Sequence, residues 1–103
     1  MLRSRYSEII IAPVKLSWDE AKRQRTLVER GLDFADAAEV FADRTFTFPD
    51  ERKGYGETRN ITIGFLRDRM IVVVWTRRSA ARHIISMRKA DEREIAKYQE
   101  RLG

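Results

Sequence analysis

The stretch R-H-I-I-S-M-R-K-A, residues 82–90, places the one histidine of the chain in a short apolar run fenced on both sides by cations. Read with the period of a strand, Arg82, Ile84, Ser86 and Arg88 share one side, and His83, Ile85, Met87 and Lys89 share the other. The first side is the more polar. If helices cover the side of Ile85 and Met87, Arg82 and Arg88 line an open sheet face with Ser86 between them. Their Cα atoms then lie ~20 Å apart at ~3.3 Å per residue, so the two arginines bracket a groove and do not clamp one phosphate. His83 falls on the covered side near a strand end, either as a packed histidine with one hydrogen bond or as a participant in chemistry.

Working outward, Asn60 to Phe65 and Met70 to Thr76 are two further strands. The links Arg67-Asp68-Arg69 and Arg78 to Ala81 are hairpin-short, which implies an antiparallel meander. Thr45-Phe46-Thr47-Phe48 precedes it as a strand closed by Pro49, a residue without an amide donor that belongs at an edge or an end. The polar connection 50–58 carries Gly54 and Gly56. Upstream, Val14 to Trp18 alternates as a strand. Its end doubles as a helix start, through a Ser17…Glu20 capping box or through Asp19, and Gly31 supplies the stop. Ala21, Leu27 and Val28 are the expected apolar face of that helix, with Lys22, Arg23, Gln24 and Arg25 opposite. A second helix follows, capped by Asp33 with Asp36 and carrying Phe34, Ala37, Ala38, Val40 and Phe41. Asp91 with Glu94 caps a last helix through Ile95, Tyr98 and Leu102.

The expected architecture is α+β: an antiparallel β-sheet packed with two N-terminal helices and a C-terminal helix, the helices mainly on one face. At 103 residues the chain suits one modest core. Residues 1–13, ending at Pro13, read as a leader or extension before a single domain at 14–103. Without cysteine there is neither a disulfide framework nor a thiolate zinc site. No run approaches the ~20 apolar residues of a membrane span, so a cytoplasmic protein is expected.

The net charge of +5 is unevenly placed. Arg77 to Lys89 holds five Arg or Lys and no carboxylate, whereas Asp33 to Asp43 is acidic. Charges on a strand are ordinarily a solvated face, and Arg77 and Arg78 at a hairpin tip are ordinary edge protection. A cationic run without local balance is also the footprint of a phosphate-backbone contact. Tyr55, Phe65 and Trp75 are the aromatics placed to stack on bases; Trp75 beside Val73 and Val74 reads as core, Tyr55 between two glycines as exposed.

Four blocks, W-D-E-A-K (18–22), R-G-L-D-F-x-D-A (30–37), G-E-T-R-x-I-T-I-G (56–64) and R-H-I-I-S-M-R-K-A-x-x-R-E (82–94), together resemble the BrnT family of type II toxins. The resemblance is collinear from about Val14 to the C-terminus. It implies a compact RelE-like fold, a metal-independent endoribonuclease that arrests growth, and no cofactor. It also implies neutralisation by a BrnA-like ribbon-helix-helix antitoxin, two toxins on an antitoxin dimer, with operator DNA reached only through the antitoxin.

In metal-independent RNA cleavage the ribose 2′-hydroxyl attacks the adjacent phosphorus. Fixed cations must then stabilise the equatorial oxygens while protons move at either end. Carried over from the matching blocks, the catalytic candidates are Glu57, Arg59, Arg82, His83 and Arg88. Our own division of their work is that Arg82 and Arg88 hold phosphate charge, Glu57 with Arg59 orients or exchanges protons, and His83 assists. Lys53, Tyr55, Arg77, Arg78 and Lys89 are the candidate RNA contacts. Two other readings fit the same basic strand: a non-catalytic nucleic-acid-binding or regulatory module, and a protein whose cations serve only an acidic partner.

Overall fold

A computed structural model of the chain describes residues 15–52 and 56–102. The leader at 1–13, Val14, and the candidate RNA contacts Lys53 and Tyr55 lie outside the described residues. Strand β1 (Leu16–Trp18) leads into helix α1 (Glu20–Arg30), a 3₁₀ turn (Phe34–Asp36) and the short helix α2 (Ala37–Phe41). Strands β2 (Thr45–Asp50), β3 (Arg59–Leu66), β4 (Arg69–Arg78) and β5 (Ala81–Lys89) follow, and helix α3 (Glu92–Leu102) ends the chain.

The caps explain the helix limits. Asp19 accepts from the backbone N–H groups of Ala21 (2.9 Å) and Lys22 (3.2 Å), and Gly31 closes α1 at φ 69°, where a Cβ would be strained. Ser17 does not cap α1; it sits in β1, and its hydroxyl is used elsewhere. Asp33 caps the 3₁₀ turn through the Ala35 N–H. Asp36 makes no side-chain cap bond, and the expected second helix is a 3₁₀ turn followed by one short α segment. Asp91 and Glu94 form the reciprocal box expected of α3, at 2.8 and 2.9 Å.

The sheet order is β1-β5-β4-β3-β2. β2 to β5 form the antiparallel meander, but β1 pairs with β5 in parallel, so the sheet is mixed and not purely antiparallel. The chain reaches this arrangement because α1 and α2 carry it from one sheet edge, β1, to the other, β2. Strand β2 runs through Pro49 to Asp50; proline is tolerated there because β2 is an edge strand and the ring turns no donor toward β3.

Both faces of the sheet are covered, contrary to the expectation of helices mainly on one. On one face Leu32, Phe34, Ala37 and Val40 pack on Ile71, Val73, Trp75, Ile84 and Met87. On the other, Tyr98 and Leu102 of α3 pack on Ile63, Met70 and Val72, with Phe46, Phe48 and Phe65 around them. We call these the α2 face and the α3 face. The strands β3 and β4 therefore carry apolar residues in succession, as strands buried on two sides must. Where β3 passes beneath α2 the residue is Gly64: a Cβ built there meets a Val40 methyl at 2.8 Å. Trp75 is core, its indole N–H donating to Thr62 Oγ1 at 2.8 Å.

Helix α1 contradicts its expected orientation. It has no buried residue, Val28 is 82% exposed, and the half-buried positions are Lys22, Arg23 and Thr26. Polar contacts hold it instead. Arg23 makes a two-point ion pair with Asp33 (2.7 and 3.0 Å) and lies over the Trp18 ring, while Arg30 donates to the Met87 carbonyl at 2.9 Å. These bonds outrank the weak apolar stripe of Ala21, Leu27 and Val28. No helix among the described residues is long and apolar enough to cross a membrane.

Candidate active site

A bulge in β5 decides which side chains share a face. Val74 pairs with Ser86, but the next residue, Trp75, pairs with Ile84, leaving Ile85 unpaired. An extra residue in one strand reverses the alternation beyond it. Arg82 and Ile84 therefore join Met87 and Lys89 on the α2 face, while His83, Ser86 and Arg88 share the α3 face. The strict alternation expected from the sequence, with Arg82, Ser86 and Arg88 together, fails at this residue.

On the α3 face, α3 covers only the end that carries Met70 and Val72. The other end is open and polar. A row crosses the sheet there: Ser17 of β1 opposite His83 of β5, His83 opposite Thr76 of β4, then Arg59 of β3 opposite Asp50 of β2. Neighbouring strands lie ~4.8 Å apart, so His83 and Arg59, two strands apart, stand ~10 Å from one another. His83 Nδ1 is 2.9 Å from Ser17 Oγ. Thr76, buried, donates its hydroxyl to the Thr58 carbonyl at 2.6 Å and so ties the segment before β3 to β4.

Just beyond the strand ends, the Glu57 carboxylate lies between two guanidinium groups, Arg78 at 3.3 Å and Arg59 at 3.9 Å. Both contacts are looser than the tight pairs elsewhere in the molecule. Burial, and then the charge of Arg78, push the His83 imidazole below its ordinary pKa; Lys22 adds to this, while Glu57 and Asp19 oppose it. The charged groups that act on His83 are thus the Arg78–Glu57 pair beyond the strand ends and Asp19 and Lys22 at the start of α1. The structure brings together Glu57, Arg59, Arg78 and His83.

Continuing from Arg59, a groove of about 330 Å³ runs between α1 and the sheet. Lys22, Arg25 and Thr26 form one wall, Arg52 and Arg59 the other, and Val74, Ile85 and Ser86 the floor. A larger groove of about 450 Å³ opens on the α2 face beside Lys89, but there Arg67 is paired with Glu39 (2.9 Å), and two carboxylates, Asp36 and Asp68, stand among the cations.

The remaining candidates stand apart. Arg82 lies on the α2 face, its guanidinium over the rings of Phe41 (4.5 Å) and Trp75 (4.7 Å). Burial, followed by the charge of Arg77 directly across the strand, lowers its pKa from the arginine value. Arg77 is exposed on that same face. Arg88 shares a face with His83 but is occupied by Glu94, in a two-point pair at 2.8 and 2.8 Å that also anchors the start of α3. Among the described residues no group of three His, Cys, Asp or Glu is placed to hold a metal ion.

Ser17, Thr76, Lys22 and Arg25 belong to the neighbourhood and escaped the sequence reading. Ser17 has a better-known use as a cap, Thr76 is one more β-branched strand residue, and Lys22 and Arg25 read as a solvated helix face. The W-D-E-A-K block was the one signal pointing at Lys22.

A family model described as ribonuclease toxin, BrnT, of type II toxin-antitoxin system matches residues 18–94. The match spans every group just described except Ser17. No curated protein matches the chain.

Proposed function

Because the chain belongs to the BrnT family of ribonuclease toxins of type II toxin-antitoxin systems, we propose that its cleavage site is the open, polar end of the α3 face. One observation carries this reading: Glu57, Arg59, Arg78 and His83 converge there, beside a basic groove. The proposal is of a metal-independent endoribonuclease that arrests growth by cutting RNA.

The 2′-oxygen bonds to phosphorus and the bond to the 5′-oxygen breaks, giving a 2′,3′-cyclic phosphate and a 5′-hydroxyl. His83, held neutral near pH 7 by burial and by Arg78, takes the proton of the 2′-hydroxyl. When its Nδ1 donates to Ser17, Nε2 is the accepting nitrogen. General-base assistance of this kind contributes ~10²–10⁴ in rate. Arg59 and Arg78 face the phosphate oxygens, where losing one electrostatic donor costs ~10²–10³. Glu57 is a positioning residue, holding both guanidinium groups in register. The leaving 5′-oxygen takes its proton from water at the open groove.

An antitoxin partner comes with membership of a type II system. The proposal extends to a BrnA-type ribbon-helix-helix antitoxin, two toxins on its dimer, operator DNA touched only through it, and a RelE-type relationship of the fold; the four sequence blocks support these. Lys53 and Tyr55, in the polar connection just before the G-E-T-R block, are proposed as further RNA contacts on the character of that loop.

The test is incubation of the purified chain with RNA in EDTA. Fragments ending in cyclic phosphate, absent when antitoxin is added, are the expected result. RNA that stays intact while still being bound would replace this reading with that of a non-catalytic binding module.

A further inference from the structure

We propose that the groove between α1 and the sheet is an extended subsite for single-stranded RNA, in which Lys22 and Arg25 hold phosphates flanking the bond to be cut. This rests on the reading of the neighbouring residues as a ribonuclease site.

Charge points there first. The groove is lined by Lys22, Arg25, Arg30, Arg52 and Arg59 against one carboxylate, Glu29. Of these, Lys22 and Arg25 form no ion pair and no side-chain hydrogen bond among the described residues. Two other cations of α1 are satisfied: Arg23 by Asp33 and Arg30 by the Met87 carbonyl. Those two bonds fix the roll of the helix so that Lys22 and Arg25 line the groove while Leu27 and Val28 go to solvent. A helix that leaves apolar residues exposed and turns unpaired cations over a sheet face is arranged for an anion.

The groove is also continuous with the cleavage site. Arg59 lines the groove and also touches Glu57, and Lys22 lies close enough to depress the His83 pKa. A backbone leaving the cleavage site therefore enters the groove directly. Size and floor agree with such an occupant. About 330 Å³ is at the lower end of the range for small-molecule sites, the scale of one nucleotide unit and not of a duplex. Val74 and Ile85, half-buried, offer an apolar floor for a base or ribose, and the β5 bulge is what brings Ile85 there beside Ser86. Apolar and stacking contacts favour unpaired bases without reading their edges.

The experiment uses the full chain and a labelled single-stranded oligonucleotide with 2′-O-methyl riboses, which binds but is not cut. Removing one phosphate-binding cation should reduce the slope of log K against log salt by ~0.7. The Lys22→Gln/Arg25→Gln double variant should therefore lose ~1.4 from that slope and bind about tenfold more weakly near 0.1 M salt. Arg93→Gln/Lys97→Gln, which removes the same charge from exposed positions on α3, should leave the slope unchanged. On a cleavable RNA, the Lys22/Arg25 variant should raise KM far more for a ten-nucleotide substrate than for a dinucleotide, which does not reach the groove. An unchanged slope in the folded Lys22/Arg25 variant overturns the subsite, even if antitoxin affinity falls. Failure of the wild-type chain to cut any RNA, with the slope effect intact, sinks the ribonuclease reading and leaves the subsite standing.

Discussion

His83 Nδ1 lies 2.9 Å from Ser17 Oγ across the parallel pairing of β1 and β5. The edge strand is short, and this is the polar bond by which it orients a ring buried enough to have its pKa depressed. Removing the serine hydroxyl should leave the imidazole in place and less well oriented. Ser17→Ala is expected to lower cleavage severalfold, a loss on the scale of ~1 kcal/mol for one hydrogen bond. His83→Asn should cost ~10²–10⁴ and abolish the acid limb of the pH–rate profile. The checks are single-turnover rates from pH 5 to 8.

The same ring couples to stability. Its folded pKa lies below its unfolded value, so the unfolded chain binds more protons in the window just below ~6.5. Stability should rise as pH increases through that window and flatten above ~6.5, where both states are neutral. In His83→Asn this part of the slope should vanish. Urea unfolding at pH 5 and pH 7.5 measures it.

Arg88 and Glu94 form a different kind of pair. Glu94 is brought down to about 2, first by its hydrogen bond from Arg88, and it also caps α3 through the Asp91 N–H. Its folded pKa is depressed, so the pair is stabilising above ~4.3 and loses that contribution as pH falls toward 2. Arg88→Ala should destabilise by about 1 kcal/mol, the scale of a well-formed surface pair, more at pH 7 than at pH 2. Turnover per folded molecule should be unchanged. A shared melting temperature of Arg88→Ala and wild type at pH 7 would count against the assignment.

Gly64 tests the packing that supports the sheet. An added methyl meets Val40 at 2.8 Å and Thr45 at 3.1 Å, and Val40 is fully buried, with little room to yield. Gly64→Ala should cost ~1–3 kcal/mol, the usual range for overpacking. Combining it with Val40→Ala should recover part of the loss, because the clash and the cavity share one space. Chemical denaturation of the two single variants and the double closes the cycle.

Local chemistry was legible in the sequence and register was not. Asp19, Gly31 and the Asp91–Glu94 box act on their own backbone within a few residues, and all three mark helix ends as their types predict. Pro49 marked an edge for the same reason. The bulge at Ile85 is different: I-I-S-M contains no glycine and alternates as well with the bulge as without it, and only pairing with β4 reveals the extra residue. Every side assignment beyond Ile85 depended on it, which is why Arg82 and Arg88 read as partners and lie on opposite faces. Glu57 and Arg59 were legible as a motif. Lys22 and Arg25 were not, because a helix face full of cations reads as solvated until Arg23 and Asp33, ten residues apart, fix its roll.

The central claim is that RNA is cut at the end of the α3 face where Arg78, Glu57, Arg59 and His83 meet, and not along a strand bracketed by Arg82 and Arg88. The most direct measurement is the single-turnover cleavage rate of one RNA by four folded variants: Arg78→Ala, Glu57→Gln, Arg82→Ala and Arg88→Ala. Arg78→Ala should fall by ~10²–10³ and Glu57→Gln, which loses the positioning of the two guanidinium groups, by about tenfold, the scale of one charged hydrogen bond, while the last two stay within a few-fold of wild type. Loss of cleavage in Arg82→Ala and Arg88→Ala, with Arg78→Ala and Glu57→Gln still active, would contradict the account.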